Sequence, residues 1–465
     1  MFNFFYKAKP HQRILGVKNT QKNQAGYASM QGGQAMISSV IFFVFVALII
    51  ISGLASPTVR EYKIVNDILQ SKRSFFVAES GIEDVYYRFL GELPHIETGT
   101  YDLWVGSDFT TMQIDSMQAT QRTIGSTGNS NGRKRIIEFK IQYKNSVTFE
   151  NGLQFGKGGL FAQGTSSWVA GSITSAGPVI GANSNSVLSG GAISSGSSGL
   201  VQNLRFTTNG HDVHAHTIDN SLISGDAYYT NISNSTVNGT SYPNSSDMPM
   251  YPLPITDLMI EKFKRLAVAG GTYGGACPYN INSGTVNIGP IKIPCSSWNI
   301  SGTARVNING PIWVTGNINI SGTAVVSVGA GVGNGKSVPV IADNTLDRVT
   351  SSKISLNTGS SVTGFGSNSY VMLISQNNDL ENGGSQDAVN LISTGGEMSS
   401  VLVYAAHGHI NVQTSGAAAL LQVISGYKAT LTNFNSILAA RPGQITFTFP
   451  DNQLNFWENT QWKEI

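Results

Sequence analysis

The chain has 465 residues, a net charge of +2 and only 12% charged residues, about half the usual share. Most of the basic surplus lies in the N-terminal leader, at Lys7, Lys9, Arg13, Lys18 and Lys22, so neither the net charge nor its distribution gives reason to expect nucleic acid. Coiled coil is excluded as the main architecture, because between Asn151 and Gly210 only Lys157 and Arg205 are charged, and between Gly271 and Ala330 only Lys292 and Arg305.

Residues 1–33 are polar and basic and close on Met30-Gln31-Gly32-Gly33, a cytoplasmic leader in character. Ala35 to Ala55 follows without a charge, and about 20 apolar residues suffice to cross a bilayer as a helix. The first acid, Glu61, comes after the run, so the charge asymmetry predicts the N-terminus inside and the remainder outside. A cleaved secretory signal and a buried core helix are the alternatives; the run is long for a signal and its basic leader stands far upstream. Beyond Pro57, where a kink or break is expected, Ile64, Ile68, Phe75, Ala78, Ile82, Val85 and Phe89 share one helical face. Residues 34–94 are therefore a membrane-spanning helix continuing into an amphipathic one, stopped by Gly91 to Pro94.

Within 95–150 the period changes. Ile137 through Tyr143 alternates apolar and polar, the pattern of a half-buried strand, after turn-forming residues at 125–132. A small antiparallel sheet packed on the helix is expected there.

From Gly152 short phrases recur: Ser167 to Gly171, Ser186 to Gly190, Ser221 to Gly225 and Ser235 to Gly239. A closer repeat runs from Asn299 to Val306 and returns from Asn319 to Val326. Short strands at this period, separated by Gly, Asn and Ser, predict stacked rungs of a parallel β-helix over 151–250 and 272–465, with Val306 and Val326 inward. A β-sandwich is the alternative. A helix is expected within 251–271, capped at Thr256 or Asp257, stopped at Gly270 and apolar along Met259, Phe263 and Leu266. The predicted fold class is mainly β: pilin-type helix, small antiparallel sheet, and a solenoid interrupted by one helix.

The basic leader, the apolar helix and its amphipathic continuation together resemble a type IV pilin. Phe75-Phe76-Val77-Ala78-Glu79-Ser80-Gly81-Ile82-Glu83 resembles the signature of PilX-type minor pilins, and the glycine-rich C-terminal region is similar to that of PilX-like pilus assembly proteins. The resemblance implies peptidase cleavage between Gly33 and Gln34. It also implies partners: the membrane, other pilin subunits and the assembly machinery, with surface polysaccharide or a neighbouring cell as a contact. Major pilins carry a glutamate at the fifth mature position; here that position is Ser38, which implies a minor or accessory subunit.

Candidate chemistry is sparse. Ala330 to Ser337 approaches a phosphate-binding loop, but Pro339 follows in extended sequence and no helix is expected to open there. His214 and His216 share one face of a predicted strand, and His407 and His409 flank Gly408. Each pair is either a transition-metal site or, as expected here, ordinary polar rung positions. Cys277 and Cys295, exported together, favour a disulfide over two free thiols. A carbohydrate-active enzyme would need clustered carboxylates, and Asp343, Asp347, Asp379, Glu381 and Asp387 are mostly scattered. Asp379 and Glu381 stand closest, in what reads as a solvated turn. No catalytic residue, cofactor or metal is expected, and the function expected is structural or adhesive at the envelope, with a tethered enzyme or a non-pilus adhesin as alternatives.

Overall fold

The computed structural model describes residues 32–89, 99–115, 121–163, 168–184, 186–207, 211–357, 359–393, 398, 400–414, 421–432, 437–438, 445–450 and 456–465. The leader, apart from Gly32 and Gly33, lies outside them. The chain is mainly β, with a long N-terminal helix, a small antiparallel sheet and a parallel β-helix.

Helix α1, Gly32–Phe89, runs through Pro57 without the expected break. Pro57 has no N–H for the carbonyl of Gly53 four residues back, so the helix lacks one backbone bond there. Thr58 Oγ1 donates to Leu54 O at 3.0 Å, adding a side-chain bond at this weakened turn.

The last turns of α1 lie on a five-stranded antiparallel sheet. Four strands are consecutive: Gly99–Val105, Asp108–Ile114, Gln121–Ser130 and Arg133–Lys144. Ile137, Phe139 and Ile141 face the helix and pack with Ala78, Ile82, Val85 and Phe89. The turn expected over 125–132 narrows to Asn131-Gly132, both at positive φ, the preferred pair for a two-residue hairpin. Gly125 and Gly128 are strand residues instead. The fifth strand is Phe456–Glu464, which returns to pair with Arg133–Lys144, so 272–465 is not wholly solenoid.

The solenoid is continuous in space but not in sequence. Successive rungs place in register Ile291, Ile312, Val340, Leu373, Val403 and Ile424, then Leu153, Ile173, Ala192, Val213, Ala227 and Ser241. The chain thus joins the solenoid at its middle, winds to one end at 243, crosses to the far end and winds back to the middle. Rungs are 20 residues apart at Asn287 and Asn307 but 14 apart at Asp212 and Asp226. Val306 and Val326 are buried and paired, as the repeat requires. Outward asparagines stack as well, Asn319 donating to Asn299 at 2.8 Å and Asn299 to Asn280 at 2.7 Å. Gly225 and Gly239 recur because the rungs touch there: a Cβ on Gly239 would lie 2.4 Å from Gly225 O, and one on Gly225 2.3 Å from His211 O.

The crossing segment is a strap over the outer face. Ser245 N donates to Tyr229 O at 3.1 Å, Gly196 N to Met248 O at 3.0 Å, and Gln154 Nε2 to Pro252 O at 2.9 Å, so the strap is bonded at every second rung as it descends. It ends in helix α2, Asp257–Ala269, with Thr256 as N-cap and Gly270 as C-cap. Its buried face is Ile260, Phe263, Lys264 and Ala267, while Met259 and Leu266 are only partly covered, a rotation from the expected face. α2 and the antiparallel pair Ser146–Phe149 with Ile445–Thr448 cover a second core outside the solenoid. Val338–Ala342 and Val371–Ser375 are buried on both faces for this reason, and both read as near-continuous apolar runs.

Candidate functional site

From Met36 to Leu69 nearly every residue of α1 is exposed, including Phe42, Phe43, Phe45, Ile49, Ile50 and Leu54. Water would oppose so large an apolar surface, whereas a bilayer solvates it. α1 is the one described helix long and apolar enough to cross a membrane, and none of the apolar stretch is buried. Gly33 and Gln34 occupy its first turns, directly before that surface, and Ser38 lies on its exposed part. Beyond the span, Ile64 and Ile68 remain exposed although they share the face that Ala78 and Ile82 bury.

Where α1 meets the sheet, the contact is a seam of small residues. A Cβ on Gly128 would lie 2.0 Å from Ser74 O and 2.6 Å from Ala78 N. A Cβ on Gly81 would lie 2.7 Å from both Ser126 Oγ and Thr110 Cγ2. Ser126 Oγ donates to Ala78 O at 2.7 Å and lies 2.8 Å from Thr110 Oγ1, so the buried hydroxyls are satisfied. Ser74, Ala78 and Gly81 therefore mark the close approach, the last two being the ends of the Ala-Glu-Ser-Gly phrase, three residues apart on one helical face. Ser130 Oγ donates to Gln70 Oε1 and Arg135 Nε to Ser71 Oγ, both at 2.8 Å, continuing the seam in polar form.

The histidines are dispersed rather than convergent. Val213 and Ala215 point inward, and His214 and His216 outward. His214 stacks on Tyr228 with ring centroids 4.1 Å apart, and Tyr228 on Tyr242 at 4.5 Å. Burial holds the His214 imidazole below its ordinary pKa, partly opposed by Asp212. His216 Nδ1 instead meets Asp247 of the strap at 3.0 Å. His407 bridges three elements: Nε2 lies 3.0 Å from Asp257 Oδ1 on α2, and Nδ1 2.8 Å from Glu381 Oε2. The hydrogen bond to Asp257 is the main reason its pKa is pushed up to about 9, and the same bond holds Asp257 below the usual carboxylate range. His409 Nδ1 lies 2.7 Å from Asp387 Oδ1, and Nε2 2.7 Å from Thr430 Oγ1. Among the described residues no group of three or more His, Cys, Asp or Glu is placed to hold a metal ion.

Asp379 and Glu381 lie in the expected turn, with Glu381 exposed, but Asp379 is not solvated. Asp379 is buried, its Oδ2 accepting from Gln386 N at 2.8 Å, and Glu381 takes His407. Cys277 and Cys295 are joined by a disulfide at the end of the solenoid reached by the strap. Ala330–Val332 is a 3-10 turn leading into strand Val338–Ala342, so the glycine-rich loop precedes no α-helix. The linkage of His407 to Asp257, and of Lys264 to Asp343, had no sequence signal, since the partners stand 150 and 79 residues apart.

No protein-family model matches the chain, and no curated protein matches it. Among solved structures, the competence-associated pilin ComZ from Thermus thermophilus is similar over 85% of this chain and 97% of that chain, at 11% identity and a TM-score of 0.27. So loose a superposition carries no argument.

Proposed function

We propose that the chain is a membrane-anchored, pilin-like structural or interaction protein acting in type IV pilus assembly or surface contact. One observation carries this reading: a single helix whose first half is apolar and exposed and whose last turns pack on an antiparallel sheet. In this reading the basic leader stays in the cytoplasm, the solenoid projects outside, and the protein is not an enzyme. Other pilin subunits would pack against the exposed helix once it leaves lipid, and the PilX-type phrase makes this chain a minor subunit. Surface polysaccharide or a neighbouring cell would be the solenoid's contact.

Cell fractionation with external protease tests it. The chain should sediment with membranes, and protease added to intact cells or spheroplasts should remove the solenoid. A solenoid protected on the cytoplasmic side, or a chain free in the soluble fraction, overturns the reading.

A further inference from the structure

A charged cluster with a buried ion pair at its centre lies at the junction of α2 with the solenoid. Lys264 Nζ lies 2.7 Å from Asp343 Oδ2 and 2.6 Å from Glu261 Oε1. The Lys264 and Asp343 side chains are only 4% and 0% exposed. Trp313 walls the cluster: its ring centroid is 4.8 Å from Lys264 Nζ, and its Nε1 donates to Asp343 O at 2.8 Å, fixing the backbone that carries the carboxylate. Arg348 donates to both carboxylate oxygens, Nε to Oδ1 at 2.8 Å and Nη2 to Oδ2 at 3.0 Å. Its Nη2 is also 3.7 Å from Glu261 Oε1.

We propose that Lys264 and Asp343 condense into a side-chain amide, a covalent staple between α2 and the solenoid. An amine hydrogen-bonded to one carboxylate oxygen stands roughly 3–3.5 Å from the carboxyl carbon, the separation of a near-attack conformer. Glu261 takes a proton from Lys264 Nζ, and the freed lone pair attacks Asp343 Cγ. The new C–N bond gives a tetrahedral carbon whose two oxygens remain against the Arg348 N–H groups, which stabilise developing oxyanion charge. Collapse breaks one C–O bond. The departing oxygen takes the proton held by Glu261 and a second that Glu261 passes on from the nitrogen, and leaves as water. Ammonium and carboxylate become amide and water, with no net proton gained and no redox change.

The surroundings favour that product. Burying an ammonium and a carboxylate incurs a desolvation cost that an amide largely avoids. The cluster also stays neutral: the reaction removes one cation and one anion, leaving Arg348 beside Glu261. Lys264 and Asp343 are 79 residues apart, so the staple would join the crossing segment to a rung it otherwise only overlies.

Intact mass spectrometry of the full chain in detergent, with its disulfide intact and its mass calculated from the observed N-terminus, tests this directly. The expected mass is one water below that value. A tryptic digest should yield one branched peptide joining the segments of Lys264 and Asp343. Full mass, with both segments recovered as linear peptides, overturns the staple and leaves a buried ion pair. Glu261→Gln, at a half-exposed position, should fold and regain full mass; a variant that still forms the branched peptide overturns the role of Glu261 as proton carrier.

Discussion

Ile424 pairs in parallel register with Leu153, so the rung nearest the C-terminal end of the solenoid sequence supports the rung that begins it. Both residues are fully buried in one continuous core. The two solenoid segments are therefore halves of one body that share an internal interface, and neither half closes that interface alone.

Ile424→Ala should consequently destabilise the whole solenoid. Removing a buried isoleucine side chain costs about 2–5 kcal/mol. Denaturant unfolding followed by two probes, one in each segment, should show both transitions shifting together. A shift confined to the segment after residue 272 would separate the halves energetically.

The seam between α1 and the sheet leads to a second prediction. Gly128→Val places atoms where Ser74 O and Ala78 N already lie. Overpacking of this kind costs about 1–3 kcal/mol, and backbone neighbours that cannot turn aside put this site at the upper end. Hydrogen exchange should show faster opening of residues 74–89 with the solenoid amides unchanged. Unaltered protection along the helix would contradict the seam.

The Cys277–Cys295 disulfide closes a loop spanning 18 residues at one end of the solenoid. A loop of about this size corresponds to roughly 3 kcal/mol in the chain-entropy account. Cys277→Ser with Cys295→Ser should lower stability by about that amount. Alkylation of unreduced protein from cells should leave both cysteines unmodified; two alkylated thiols would exclude the bond in the native protein.

His407 makes the clasp between α2 and the solenoid sensitive to alkali. Its folded pKa, about 9, lies above the ordinary 6.5, so the folded state holds its proton more tightly. The contribution is complete below about 6.5 and is lost as pH rises through about 9. The melting temperature of the wild type should fall across that interval, and His407→Ala should flatten this part of the profile. Parallel profiles for the two proteins would show that His407 contributes no linkage.

Processing is the fifth expectation. A pilin peptidase should cut between Gly33 and Gln34, which N-terminal sequencing reads directly; an intact Met1 or another cut site would refute it. The new amine would then enter a filament core with Ser38, not a carboxylate, at the fifth position, and an uncompensated buried charge is costly. The chain should be scarce in purified filaments, and Ser38→Glu should raise its share. Abundance of the wild type as a main subunit would contradict the argument.

Local features were the legible ones. The apolar span, the buried register of Ala78, Ile82, Val85 and Phe89, and the inward Val306 and Val326 follow from periodicity, because each depends on neighbours close in sequence or on a repeated spacing. The order of the rungs does not. Asn299 specifies a rung that accepts Asn319 above it, but nothing in Leu153 says that Ile424 lies beneath it. On α2, Phe263 is buried and Met259 and Leu266 pack beside it as expected, but the centre of the face shifts toward Lys264, which is buried because Asp343 and Glu261 receive it; an apolar pattern cannot anticipate that. The fifth strand, Phe456–Glu464, and the outer pair at Ser146–Phe149 depend equally on partners supplied from the other end of the chain.

Both connections between the solenoid and the sheet on α1 leave from its waist, one just before Leu153 and the other after Leu438, which still pairs with Ala170. A solenoid hung by one terminal rung would unzip under tension, each lost rung exposing the next. Here a pull on the stem is divided between two leads that reach neighbouring rungs, and each lead is also held sideways, through Ser146–Phe149 against Ile445–Thr448 and through Phe456–Glu464 against the sheet. Neither end of the solenoid has a direct lead to the stem. Traction would have to shear the middle of the body before either tip began to fray.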